Sequence, residues 1–148
     1  MTERLLDDNV SSQIKDFFGQ LEKPVQILFF GSKSDCTTCD DTLHLVKEVS
    51  ELSDKLDLKV YDIEADAEIA KQHNVNKAPG LVLAGKDGDK IKDYGVRYSG
   101  IPSGHEFGSL INDLLQVSKG SSGLSDPTKA FLHSLTDPLL FLVFTTPT

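Results

Sequence analysis

The sequence predicts an α/β fold, with elements in the order α-β-α-β-α-β-β-α. Three observations predict it. Helical apolar stripes alternate with short apolar runs over the first 119 residues. The last two runs flank Lys86-Asp87-Gly88-Asp89, whose Asp-Gly supplies the positive-φ residue of a tight hairpin, so they are antiparallel neighbours. Two cysteines, Cys36 and Cys39, stand three apart between the first run and the next helical stripe.

Leu6, Val10, Ile14, Phe17 and Leu21 fall on one face of a first helix, which Lys23-Pro24 closes. Val25–Phe30 is apolar throughout except for Gln26, as in a strand buried on both faces, and Phe17, Phe29 and Phe30 read as core. A polar loop, 31–35, leads to the cysteines. Leu45, Val49, Leu52 and Leu56 form a second helical stripe, and 58–63 reads as a second strand. Asp66–His73 is a short helix with acids in its first turn. Ala78-Pro79 introduces a third strand at Leu81-Val82-Leu83. The fourth, Ile91–Ser99, has Gly95 as a candidate bulge, and Tyr94 and Tyr98 read as packing residues. Ser103-Gly104-His105-Glu106 has the form of a capping box opening a last helix with Phe107, Leu110, Ile111 and Leu114 on one face.

Residues 120–125 are Gly- and Ser-rich and read as a linker. Beyond it the chain repeats itself without a gap. At a constant offset Lys15, Phe17, Leu21, Pro24, Leu28 and Phe30 fall on Lys129, Phe131, Leu135, Pro138, Leu142 and Phe144. The domain reading is therefore a complete unit over 1–119, a linker over 120–125, and the opening helix and strand of a second unit over 126–148. The apolar segment 139–144 would be a buried strand in a complete second unit. Without sheet partners it is an association hazard, and it is expected either to self-associate or to dock on the first unit's sheet.

The chain has 148 residues, of which 39% are hydrophobic and 26% charged, an ordinary globular composition. Its net charge of −8 disfavours phosphate backbones and anionic lipid, so no nucleic-acid and no membrane partner is expected. No apolar run approaches the roughly 20 residues that cross a bilayer. The opening Met-Thr-Glu-Arg-Leu-Leu-Asp-Asp lacks the basic-then-apolar order of a secretion signal, and two cysteines cannot staple a secreted scaffold. A cytoplasmic location is expected.

A C-x-x-C pair at a strand-to-helix junction has a defined chemistry. Backbone N–H groups and the positive helix end stabilise a thiolate on Cys36, and Cys39 lies close enough to resolve the mixed disulfide that Cys36 forms. A four-ligand zinc site is the main alternative, but it needs two further ligands. Only His44 is near in sequence; His73, His105 and His133 are scattered. Iron–sulfur or zinc shared between two chains stays open as a third reading.

Strand, C-x-x-C, helix, strand, helix, Ala-Pro, hairpin, helix resembles the thioredoxin-like fold, a mixed four-stranded sheet flanked by helices. More narrowly the chain resembles the glutaredoxin-like protein disulfide oxidoreductases, which carry two such units in tandem. The resemblance rests on Lys33-Ser34-Asp35-Cys36-Thr37-Thr38-Cys39, on Ala78-Pro79, on Gly95–Phe107, and on Thr146-Pro147-Thr148, which resembles the lead-in to a second C-x-x-C. It implies that Pro79 is cis and faces the sulfurs, and that Ala78, Pro79, Thr37 and Thr38 meet the substrate. It also implies exchange with protein thiols and disulfides, electrons from a thioredoxin-reductase-like protein or a small thiol, and no bound cofactor.

Two departures bear on activity. A second unit with its own C-x-x-C does not follow. Thr37-Thr38 replaces the Pro- or Tyr-containing dipeptides common at strong redox sites, and Asp35 and Asp40 oppose the thiolate. A mildly lowered thiol pKa and a reducing site are expected. Lys33 reads equally as thiolate-stabilising or as a solvated loop residue, and Arg97 and His105 have no evident chemical role. The rival to exchange is a non-catalytic docking or structural half, similar to the N-terminal thioredoxin-fold pair of a peroxide-reductase flavoprotein.

Overall fold

In the computed structural model, which describes residues 4–146, the elements follow the expected order, with the expected helix after the linker: α1 (Asp8–Phe18), β1 (Val25–Gly31), α2 (Cys39–Ser50), β2 (Leu56–Asp62), α3 (Ala67–Gln72), β3 (Gly80–Asp87), β4 (Lys90–Ser99), α4 (His105–Lys119) and α5 (Asp126–Ser134). The strands form one mixed sheet in the order β2-β1-β3-β4. β1 pairs parallel with β2 and antiparallel with β3, and β3 pairs antiparallel with β4.

β1 explains why its sequence is a continuous apolar run. Val25, Ile27 and Phe29 enter a large core with Phe18, Val46, Val49, Leu110 and Leu114, from α1, α2 and α4. Leu28 and Phe30 alternate to the other face, where they meet Val82 and Ala70 of α3. Helices thus cover both faces of the central strand. Gln26, the one polar residue of the run, is buried and donates to the Asp57 carbonyl at 2.8 Å across the parallel pair.

Several expectations are corrected. α1 ends at Phe18, with Gly19 as its cap, five residues before Lys23. Phe18 rather than Phe17 is its buried aromatic; Phe17 is half-buried. α2 ends at Ser50, so Leu56, placed on its stripe by spacing, opens β2 instead. The capping box does not form. Gly104 is the N-cap, at φ 60°, and no side chain caps α4. Gly95 is a bulge as expected: at φ 84° it lies where the β3–β4 register jumps from Leu83↔Val96 to Ala84↔Asp93. Tyr94 is 42% exposed, with the Lys92 ammonium 4.9 Å from its ring centroid, so it is not a packed core residue.

The N-terminal segment is held to α2 through Glu48. This buried carboxylate accepts the N–H groups of Leu5 at 2.8 Å and Leu6 at 2.9 Å, and His44 Nε2 lies 3.0 Å away. Burial pushes its pKa up. The two backbone donors and His44 together outweigh that and hold it below the ordinary value.

Beyond the linker, α5 starts at the Ser125 cap, whose side chain accepts the Thr128 N–H, and buries none of its residues. Residues 139–144 take up no strand, and Leu140, Phe141 and Phe144 are exposed. A strand is defined by a neighbour's backbone, and among the described residues none lies beside this segment. Docking of the tail on the four-stranded sheet, one of the two expected outcomes, is therefore not what the structure shows. Of Thr146-Pro147-Thr148, the last two residues lie outside the described residues.

Candidate functional site

β1 delivers the chain to the site at Gly31. A Cβ there would lie 2.8 Å from the Phe29 ring, with Cys39 Sγ at an ordinary contact distance of 3.7 Å, so glycine leaves room for that ring next to the second sulfur. The loop that follows is pinned from outside. Ser32 Oγ and Ser34 Oγ both donate to Glu64 Oε1, at 3.0 and 2.9 Å. Thr38 is the N-cap of α2 and Cys39 its first helical residue; the Thr38 carbonyl accepts from both the Thr42 backbone N–H, at 2.9 Å, and the Thr42 hydroxyl, at 2.6 Å.

Cys36 and Cys39 are joined by a disulfide with Cα atoms 5.4 Å apart, and no cysteine is free. The two sulfurs differ in access. Cys39 is 6% exposed and accepts a 3.4 Å hydrogen bond from the Ser32 N–H, whereas Cys36 is half-buried at the surface. Ser32 was missed by the sequence reading, because a serine in a polar loop carries no signal for a sulfur partner. Thr37 is exposed and Thr38 partly so.

The Ala78–Pro79 bond is cis. Its place follows from register: Gly80 pairs with Phe30 at the end of β1 that leads to the cysteines. Ala78 and Cys36 both pack, partly buried, on the same large core. The Pro79 carbonyl is fixed by the Gly100 N–H at 2.9 Å. Cys36, Cys39 and Ala78 thus belong to one core cluster, with Pro79 next to Ala78 in the chain and Thr37 and Thr38 in the turn between the sulfurs.

Behind Cys39 lies an open groove of about 420 Å³, walled by Lys33, Asp40, Leu43, Tyr61, Asp62 and Asp66 among others. Asp62 is engaged in local structure. The Ala65 N–H, then the Glu64 N–H and the Lys33 charge, hold its carboxyl below the ordinary range against a smaller effect of burial. Asp35, Asp40 and Asp41 are exposed around the pair. Among the described residues no three His, Cys, Asp or Glu side chains gather to hold a metal ion, and no helix is long and apolar enough to cross a membrane. His105 is exposed at the start of α4.

This is the constellation of a dithiol–disulfide unit in a thioredoxin-like fold, and comparison with known proteins agrees. Residues 23–112 match the thioredoxin domain family, to which this chain belongs. It is 32% identical over 113 residues to an alkyl hydroperoxide reductase of Pseudomonas aeruginosa, covering 76% of this chain and 18% of that protein. It is 30% identical over 114 residues to an NADH dehydrogenase of Bacillus subtilis, covering 77% of this chain and 19% of that one. Among solved structures it is similar to a protein disulfide oxidoreductase from Aeropyrum pernix, with TM-score 0.76 and 32% identity over 89% of this chain and 57% of that chain. The NTD_N/C domain of alkylhydroperoxide reductase AhpF from Enterococcus faecalis gives TM-score 0.74 and 25% identity over 84% and 58%. The chain thus spans under a fifth of the length of these curated relatives and under three fifths of the two structures.

Proposed function

We propose that this chain is a thiol–disulfide oxidoreductase unit acting on protein disulfides and thiols. Cys36 is the nucleophile: it is the more exposed sulfur, upstream of the helix that stabilises its thiolate. In the reducing direction the Cys36 thiolate attacks a substrate disulfide, forming a mixed disulfide and releasing one substrate thiolate, which takes up a proton. Cys39, losing its proton, then attacks Cys36 Sγ and releases the second substrate thiol. Two electrons pass from the cysteine pair to the substrate, and the pair ends as the Cys36–Cys39 disulfide. Ala78 and Pro79 take an extended substrate segment by its backbone, and Thr37 and Thr38 face it across the sulfurs.

The single observation that carries this reading is the Cys36–Cys39 disulfide at the β1–α2 junction. The electron donor is a thioredoxin-reductase-like protein or a small thiol, no bound cofactor is required, and the setting is cytoplasmic. The domain reading is retained: residues 1–119 are the working unit, 120–125 a linker, and 126–148 the start of a second unit. The alternative, a docking unit without exchange chemistry, is favoured by one observation, that the chain aligns with only 18% of a far longer reductase.

One experiment separates them. The protein is equilibrated across a glutathione or dithiothreitol series and read by mass after thiol trapping. The expected outcome is one two-electron transition at a reducing potential. If the pair never leaves one state across the series, the docking reading replaces exchange.

A further inference from the structure

The loop that carries Pro79 begins at His73, the C-cap of α3, and its start is gripped by strand β4. Arg97 makes the grip. Its Nε donates to the His73 carbonyl at 2.8 Å, and its Nη1 and Nη2 form a two-pronged contact with the Asp93 carboxylate, at 2.9 Å for Nη1 to Oδ1. Asp93 is engaged from every side. Oδ1 also accepts the Gly95 N–H at 2.8 Å, and Oδ2 lies 3.2 Å from His73 Nδ1. The Gly95 bulge makes the geometry possible: it shifts the register so that Asp93 pairs with Ala84 while Arg97 pairs with Val82. The His73 ring leans on Phe30, at 6.4 Å between centroids.

From this anchored end the chain has only Asn74 to Ala78 before the cis proline. Asn74 turns at φ 54°, and Val75 folds back so closely that a Cβ on Gly80 would come within 2.7 Å of it. Pro79 itself is tied to Gly100, one residue past the end of β4. Both ends of the Pro79 loop therefore hang from the β4 side of the molecule. None of these groups approaches the sulfurs in the hydrogen-bond network, so the grip acts on the loop and not on the thiol chemistry.

We propose that Arg97, with Asp93, is a positioning pair that latches the Pro79 loop to β4 and so sets the backbone surface against which a peptide disulfide is aligned. This rests on the exchange reading above. A guanidinium is required rather than a charge, because only its planar fork reaches a carboxylate and a carbonyl at once.

The test uses the full chain, pre-reduced, in single-turnover reactions with two substrates. Insulin presents its disulfides on peptide backbone. Bis(2-hydroxyethyl) disulfide has no backbone for the loop to align. Loss of a charge-assisted anchor predicts that Arg97→Ala raises the half-saturating insulin concentration roughly tenfold and leaves the limiting rate within about twofold. The rate with bis(2-hydroxyethyl) disulfide and the reduction potential stay unchanged. Arg97→Lys shows the same insulin defect. Asp93→Asn, nearly isosteric and retaining an acceptor for the Gly95 N–H, shows a smaller one in the same direction, which covers the case in which Arg97→Ala fails to fold. Equal losses on both substrates, or folded variants that handle insulin as wild type does, would overturn the latch. Wild type inert toward both disulfides would sink the exchange reading, and the latch's role with it.

Discussion

At the residue scale the site and its support were unequally visible. Cys36 and Cys39 could be named because they form a short motif whose chemistry depends on spacing, whereas Pro79 was implied only by the resemblance to the thioredoxin-like fold. Arg97 and Asp93 could not be named, because their partnership depends on the two-residue register shift at Gly95 and on a carbonyl contributed by His73 at the end of α3. The electrostatics of that pair give a testable sign. The Arg97 guanidinium, with the Gly95 N–H and His73, holds the Asp93 carboxyl far below its ordinary value despite partial burial. A carboxyl depressed in the folded state contributes its full stability above its unfolded pKa, about 4, and loses it as pH falls toward the folded value. Asp93 is partly exposed, so the contribution is discounted to about 1 kcal/mol. Denaturant unfolding of wild type and Asp93→Asn should therefore differ by that amount at neutral pH, and the gap should close as pH falls below about 4. A gap that is constant or widens in acid would contradict the assignment.

At the element scale the sheet was legible and the helix ends were not. β1 was readable because burial on both faces leaves a run with no polar alternation, and the β3–β4 turn was readable because Gly88 must take positive φ, here 59°. Apolar spacing failed where it ran past a boundary. Leu56 keeps helical register with Leu52 yet belongs to β2, and Phe17 and Phe18 cannot be told apart by hydrophobicity when only the angle of α1 selects the buried one. The start of α4 was misread because Gly104 at φ 60° turns the backbone away from the arrangement in which Ser103 could cap it. The start of β3 is closely packed by the loop before it: a Cβ on Gly80 would fall 2.7 Å from Val75 Cγ1 and 2.9 Å from the Lys77 carbonyl. The carbonyl is backbone and cannot swing aside. Gly80→Ala is expected to cost about 1–3 kcal/mol, a Tm lower by several degrees. Thermal melting followed by circular dichroism checks it, and an unchanged Tm would show that the loop yields at no cost.

At the scale of the whole molecule the tail exposes the apolar surface that the domain does not bury. Residues 139–144 align without a gap on 25–30 of β1 and share Leu28 and Phe30 with it, yet β1 is flanked by β2 and β3, and the aligned segment has no strand beside it among the described residues. Phe141 is 81% exposed and Phe144 89%, beside Leu140 and Val143 and close in sequence to the exposed Phe131 of α5. A contiguous apolar surface of this kind draws association in water, whereas isolated exposed apolar residues do not. The domain itself does not depend on it, because α5 buries no residue. Two expectations follow from this separation. Sedimentation velocity over an about hundredfold concentration range should show reversible self-association. Phe141→Asp with Phe144→Asp should shift the protein to monomer and leave Tm within about 2 °C, since surface changes away from packed features stay within about 0.5 kcal/mol. Wild type that is monomeric throughout, or variants that associate as strongly as wild type, would remove the tail as the interface. A large fall in Tm would instead mean that it covers the sheet in solution. Because the cysteine pair lies at the far end of β1 from the linker side of α4, the doubly substituted monomer should retain its exchange rate, which separates assembly from chemistry in one protein.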